Sequence, residues 1–271
     1  MQLLKVNLFV FITGLLVGWG LGGFFLGISI GALLCAIVLI WYTLATELLL
    51  QRLNAITLTE ASAASTMYRL FLSDAYKLIA AAGFPRTSFS IIQNDVPLAF
   101  SLGSRRSGGR IIVTSGLFKT LSRAEISAVV AHELGHIRAG EREITAMWLG
   151  LSLVLASVWT ALSSQSRKDH LPATLTSVTH QVSPGRLKPD CRADAFAATL
   201  CKDSSIMASA LHKLERGVRA THWDVLDRTP TLRQLAIVNP IHARLSYERP
   251  EQSPMAHRVA ELRRLALPNA A

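Results

Sequence analysis

Residues 132–136 read His-Glu-Leu-Gly-His. On a helix, two histidines four apart lie on one face, so His132 and His136 can both reach a single metal ion. Glu133 sits about 100° further round, close enough to take a proton from a water that the metal has acidified. Zinc is the ion this chemistry points to, because it brings such a water to a pKa of about 7. A catalytic zinc usually takes three protein ligands, so a third must come from elsewhere. Asp190 and Asp194 are also four apart and share a helix face. One can bind the metal, and the other can accept the distal N–H of a ligating histidine. Cys191 is also a competent ligand, but on a helix it points away from that face.

A five-residue string can arise by chance, so the elements that would position it matter. Ser122-Arg-Ala-Glu125 is a capping box, and Leu121 and Ile126 are spaced as a hydrophobic staple. Ile126, Val129 and Val130 follow at helical spacing. The motif therefore lies on a helix with a defined start. Gly135 weakens that helix by about 1 kcal/mol relative to alanine, which is tolerable if backbone or metal approaches closely there.

The 271 residues are 50% hydrophobic, with mean hydropathy +0.34. The excess is localised. Between Lys5 and Glu47 no residue is charged. As helix, that run would be about 60 Å long, twice the ~30 Å of a hydrocarbon core. It reads as two crossings, roughly 6–22 and 27–48, with Gly20, Gly22, Gly23 and Gly27 supplying the turn. Gly14, Gly18 and Gly22, and likewise Gly23, Gly27 and Gly31, are spaced by four and suit close helix packing. The run is too long for a cleaved leader and lacks a clear cleavage site. Lys5 and Arg52 flank the hairpin while the turn carries no charge, which places both ends in the cytoplasm.

The net charge is +10. No aromatic-interleaved basic motif points to nucleic acid. Surface Lys and Arg on a domain held at an anionic inner leaflet account for the excess more simply. Three cysteines, Cys35, Cys191 and Cys201, without C-x-x-C spacing, form no disulfide framework and suit a reducing compartment.

The remaining chain reads as mostly α with a small β-sheet, an α+β class. Residues 51–83 look helical, ended by Gly83 and Pro85. Ser88–Ile92 and Arg110–Thr114 are β-rich, with Pro97–Gly103 and a basic loop between them. An exposed edge of that sheet could accept an extended peptide as an added strand. Segment 144–162 is apolar enough for a third span, 164–186 is a polar loop, and the tail from Pro254 to Leu267 is an amphipathic helix.

The motifs together resemble the HtpX-like family of membrane zinc metallopeptidases, relatives of the CAAX prenyl endopeptidases. The residues that carry the resemblance are the hairpin, Pro97-Leu-Ala-Phe100, Ile111-Ile-Val-Thr-Ser-Gly-Leu-Phe118, His132-Glu-Leu-Gly-His-Ile137 and Asp190-Cys-Arg-Ala-Asp194. Beyond the hairpin, the match covers roughly 50–215, with a weaker echo in the tail. The resemblance implies a zincin-like metallopeptidase domain over 51–271 behind a transmembrane hairpin over 1–50. It implies one zinc held by His132, His136 and Asp190, with Glu133 as general base. Asp194 follows at the place of the family's Asp. The implied substrates are polypeptides, membrane or misfolded proteins, in the inner membrane of a bacterial-type cell with the domain facing the cytoplasm.

Three positions depart from the family pattern. Asp190 stands where the family has Glu, one methylene longer, so its helix must sit closer or the site is weaker. Leu98 stands where it has Asn, and Gln252 is nearest to a missing His. These departures motivate a second reading, a non-catalytic membrane scaffold or sensor on the same fold. Topology adds a constraint. His136 and Asp190 can share an ion only if an even number of crossings separates them, and 164–186 is too polar to span. Segment 144–162 is therefore expected to lie on the membrane surface, re-enter it, or pack against the domain.

Overall fold

The computed structural model describes residues 2–61, 65–84, 86–104, 108–140, 187–221, 235–239 and 254–266. Segments 144–162 and 164–186 and Gln252 lie outside these. The architecture is mostly α with one small mixed sheet, in keeping with the α+β reading.

Helices α1 (Gln2–Gly22) and α2 (Phe24–Arg52) form a hairpin joined by Gly23 alone. Gly23 has φ 99°, a conformation costly for any residue with a Cβ. The turn is tighter than the spans 6–22 and 27–48 imply, and Gly27 belongs to α2. The glycine rows interlock. A Cβ on Gly14 would come within 2.7 Å of Gly31 Cα, and one on Gly18 would strike Gly27. Both helices are long and apolar enough to cross a membrane, and Phe9, Trp19, Leu21 and Phe25 are exposed on their outer faces. At 29 residues, α2 is about 44 Å long, more than a ~30 Å hydrocarbon core requires. Its last turns carry Leu49 and Leu50 into the hydrophobic core of the domain that follows.

The helical reading of 51–83 is corrected by the structure. Strand β1 (Ile56–Leu58) precedes helix α3 (Thr66–Ala82). The Ile-Thr-Leu run carries the β-branched residues that favour a strand, and β2 (Thr87–Ile92) supplies its antiparallel partner. Ser65 caps the start of α3, and Gly83, at φ 73°, closes its end. The sheet order is β1-β2-β4-β3, with β3 (Ala99–Ser104) and β4 (Gly108–Thr114) antiparallel and β2 and β4 parallel. Strand β3 forms one edge. All six of its residues are buried, while β1 forms the other edge, with Ile56 and Thr57 exposed to solvent.

Short helix α4 (Ser115–Thr120) leads into α5 (Arg123–Ala139), which carries the histidine motif. The Ser122/Glu125 capping box forms in both directions, and Gly140 ends the helix at φ 68°. From Ile126 to Ile137, α5 is buried on nearly every face. It is enclosed by β3, by α3, by α6 (Leu187–Cys201) and by α7 (Ser204–Ala220). Glu125 ties α5 to α7 by accepting from Ser209 Oγ at 2.6 Å and Lys213 Nζ at 2.9 Å. Its carboxyl is held at about 2: burial alone would raise it, but Lys213, Ser209 and the Ser122 cap outweigh that. The last helix, α8 (Pro254–Ala266), packs on α6 and α7.

Candidate metal centre and active site

His132, Glu133, His136, Asp190 and Asp194, the five residues singled out from the sequence, come together where α5 crosses α6. His132 and His136 stand one turn apart, and their Nε2 atoms are 3.2 Å apart. Asp190 Oδ1 is 3.4 Å from His136 Nε2. One ligand atom from each of the three residues lies within 4.8 Å of the others. Bonds of about 2.0–2.1 Å directed to the corners of a tetrahedron leave ligand atoms ~3.3 Å apart. The two shortest separations match that spacing, so this donor set fits a zinc ion. Cys191 is not part of the group. Its Sγ lies 3.8 Å from His257 Nδ1 on α8.

Helices α5 and α6 approach closely beside Asp190. A Cβ at Gly135 would be 3.0 Å from Ala193 Cα and 3.4 Å from Phe196 Cδ1. The bare position between the two histidines therefore lets the backbone of α6 settle against α5. Asp190 lies one turn before Ala193 and is carried inward with it.

Behind the histidines lies a buried ionic chain. His132 Nδ1 is 2.7 Å from Asp194 Oδ1, which orients the ring with Nε2 toward Asp190 and His136. Burial pushes the His132 imidazole below its ordinary value, and Asp194 offsets this only in part. A neutral ring is the form that binds metal. Asp194 in turn receives two hydrogen bonds from Arg258, from Nε and Nη2, both at 2.7 Å, while Arg258 Nη1 donates to Ile237 O at 2.8 Å. Burial would raise the Asp194 carboxyl, but Arg258 and then His132 hold it down at about 2.

The tail forms the expected amphipathic helix, and Arg258 lies on its apolar side. It is 3% exposed and lies on the buried face of α8 with Met255, Val259 and Leu262. The signal was present: positions 255, 258, 259 and 262 form a single helical stripe, and an arginine in such a stripe implies a buried acidic partner. Ser101 also went unremarked. Its hydroxyl donates to Glu133 Oε2 at 2.6 Å. Glu133 itself is fully buried.

The family model for peptidase family M48 matches residues 72–236, a stretch that contains all five of these residues. The chain belongs to peptidase family M48. Within family M48 it is HtpX-like. A relative from Acidiphilium cryptum described as "Protease HtpX homolog" is 30% identical over 207 residues, covering 70% of this chain and 71% of the relative. A second of the same description, from Pyrococcus furiosus, is 28% identical over 285 residues, covering 96% of this chain and 94% of its own. That longer match takes in most of the helical hairpin, which precedes the M48 region. A third, from Gemmatimonas aurantiaca, is 30% identical over 203 residues. Family and relatives support a metallopeptidase, whose substrates are polypeptides.

Proposed function

We propose that this chain is a membrane-anchored zinc endopeptidase acting on membrane or misfolded proteins. The observation that carries the reading is the convergence of His132, His136 and Asp190 beside the buried carboxylate of Glu133, within an M48 chain. His132, His136 and Asp190 would hold the ion. Zinc, when bound, supplies Lewis acidity toward water and toward a peptide carbonyl. Glu133 takes the proton from the attacking water and returns it to the leaving amine. Asp194 fixes the His132 ring from behind. The α1–α2 hairpin spans the inner membrane, with Lys5 and Arg52 on the cytoplasmic side and the domain with them. The reading requires an even number of crossings between His136 and Asp190, so that both lie on the same side.

Zinc stoichiometry and casein cleavage test this in the purified full-length chain. One zinc per chain is expected in both wild type and Glu133→Gln, with cleavage by the wild type only. Asp190→Ala should lose zinc and Cys191→Ala should keep it. Full zinc occupancy with no cleavage of any unfolded substrate by wild type would favour a scaffold that retains the fold. A tag near residue 170 found outside the cytoplasm would remove Asp190 from the site.

A further inference from the structure

Ser101 lies outside the histidine and aspartate motifs, yet it touches the side chain on which the proposed proton transfer depends. It sits in the middle of β3, paired across the ladder with Ile111 of β4. Its position is thus set by the sheet rather than by a loop. It is fully buried, and so is Glu133. The hydroxyl donates to Glu133 Oε2 at 2.6 Å, whereas Oε1 has no hydrogen-bond partner among the described residues. The two oxygens of one carboxylate are therefore in different states. One is pinned, and the other is held ready in a buried place where a polar atom without a partner is costly.

We propose that Ser101 is a positioning residue for Glu133, pinning Oε2 so that Oε1 is the oxygen that takes the proton. The proposal rests on the reading of Glu133 as general base. The terminal torsion of a glutamate is soft, with no sharp staggered well, so an unanchored carboxylate samples many planes. One short hydrogen bond from a rigid strand selects a single plane. The proton balance is simple. A water O–H bond breaks as the Oε1–H bond forms, and that bond later breaks as an N–H bond forms on the leaving amine. Oε2 accepts from Ser101 throughout, first as part of a carboxylate and then as the carbonyl oxygen of the neutral acid. A serine proton can serve both states because it need not move.

The test uses the zinc-loaded full-length chain in detergent, with kcat and KM on casein, bound zinc and Tm measured side by side. Ser101→Ala should lower kcat about tenfold or more, the scale of a hydrogen bond to a charged group, with KM, zinc content and Tm as in wild type. Ser101→Thr, which keeps the hydroxyl, should restore most of kcat. An unchanged kcat in Ser101→Ala would overturn the proposal. So would a loss of Tm or of zinc in step with kcat, which would make Ser101 a fold residue, or a threonine variant with intact zinc as slow as alanine. Failure of the underlying enzyme reading looks different: the wild type itself then cleaves nothing, and the proposal falls with it.

Discussion

Gly135→Ala adds one methyl group at the crossing of α5 and α6, and its consequence can be worked from the geometry. The new Cβ would lie 3.0 Å from Ala193 Cα and 3.2 Å from Ala193 Cβ. Carbon atoms settle at about 3.5–4.0 Å, so α6 must give way by a few tenths of an ångström. Asp190 rides on the same helix one turn away and withdraws with it. Metal–ligand distances tolerate only about 0.2 Å. The displacement therefore exceeds what the site can absorb, and zinc affinity should fall about 10–100-fold, the range seen when a ligand's support is disturbed. The metal-free fold should lose about 0–2 kcal/mol, because an overpacking cost of about 1–3 kcal/mol is partly offset by the ~1 kcal/mol that alanine adds to a helix interior. Restoring reach should restore binding. Asp190→Glu lengthens the side chain by one carbon–carbon bond, about 1.5 Å, so the double variant Gly135→Ala/Asp190→Glu should regain most of the lost affinity. Competition with a chromophoric chelator measures zinc affinity, and chemical denaturation measures stability. A Gly135→Ala chain that binds zinc like wild type, or a double variant no tighter than Gly135→Ala, would refute the reasoning that helix approach compensates for the short ligand.

Arg258→Ala should destabilise the fold by about 3–5 kcal/mol, because it strands the buried Asp194 carboxylate without its two hydrogen bonds. Arg258→Lys should recover only part of this, since an ammonium cannot bridge both oxygens; denaturant midpoints equal to wild type in both variants would contradict the buried ionic chain. Glu125 has a folded pKa held at about 2, below its ordinary 4.5. Its contribution is therefore fully present above about pH 4.5 and is lost as pH falls toward 2. Glu125→Gln keeps a capping-box side chain but no charge. The variant should be less stable than wild type at pH 7 by about 1–2 kcal/mol, a value reduced for the partly exposed Lys213 partner. The gap should close as pH is lowered from 4.5 to 2 in thermal melts; a gap constant across that range would sink the assignment.

Local chemistry in the sequence was enough to mark the capped motif helix, the glycine-seamed hairpin and the candidate donors, because each is written in residues close together in the chain. Ser122 and Glu125 are three apart, His132 and His136 four, Asp190 and Asp194 four, and helical geometry alone relates the members of each pair. The strand at Ile56–Leu58 escaped this reading because its partner, β2, is some thirty residues away, and a three-residue strand has no period of its own. Tertiary structure alone decided how the pairs meet. Gly135 reads in sequence as a weak point of a helix, and only the contact with Ala193 shows it as the place where α6 closes on α5. Arg258 is one arginine of an amphipathic helix until α8 docks and brings it onto Asp194, sixty-four residues away in the chain. Ser101 reads as one residue of the segment between two β-rich runs until the sheet lies under α5 and turns its hydroxyl onto Glu133. In each case the partner is distant in sequence, so no local propensity or spacing encodes the pairing, and it exists only once the core has brought the elements within hydrogen-bonding distance.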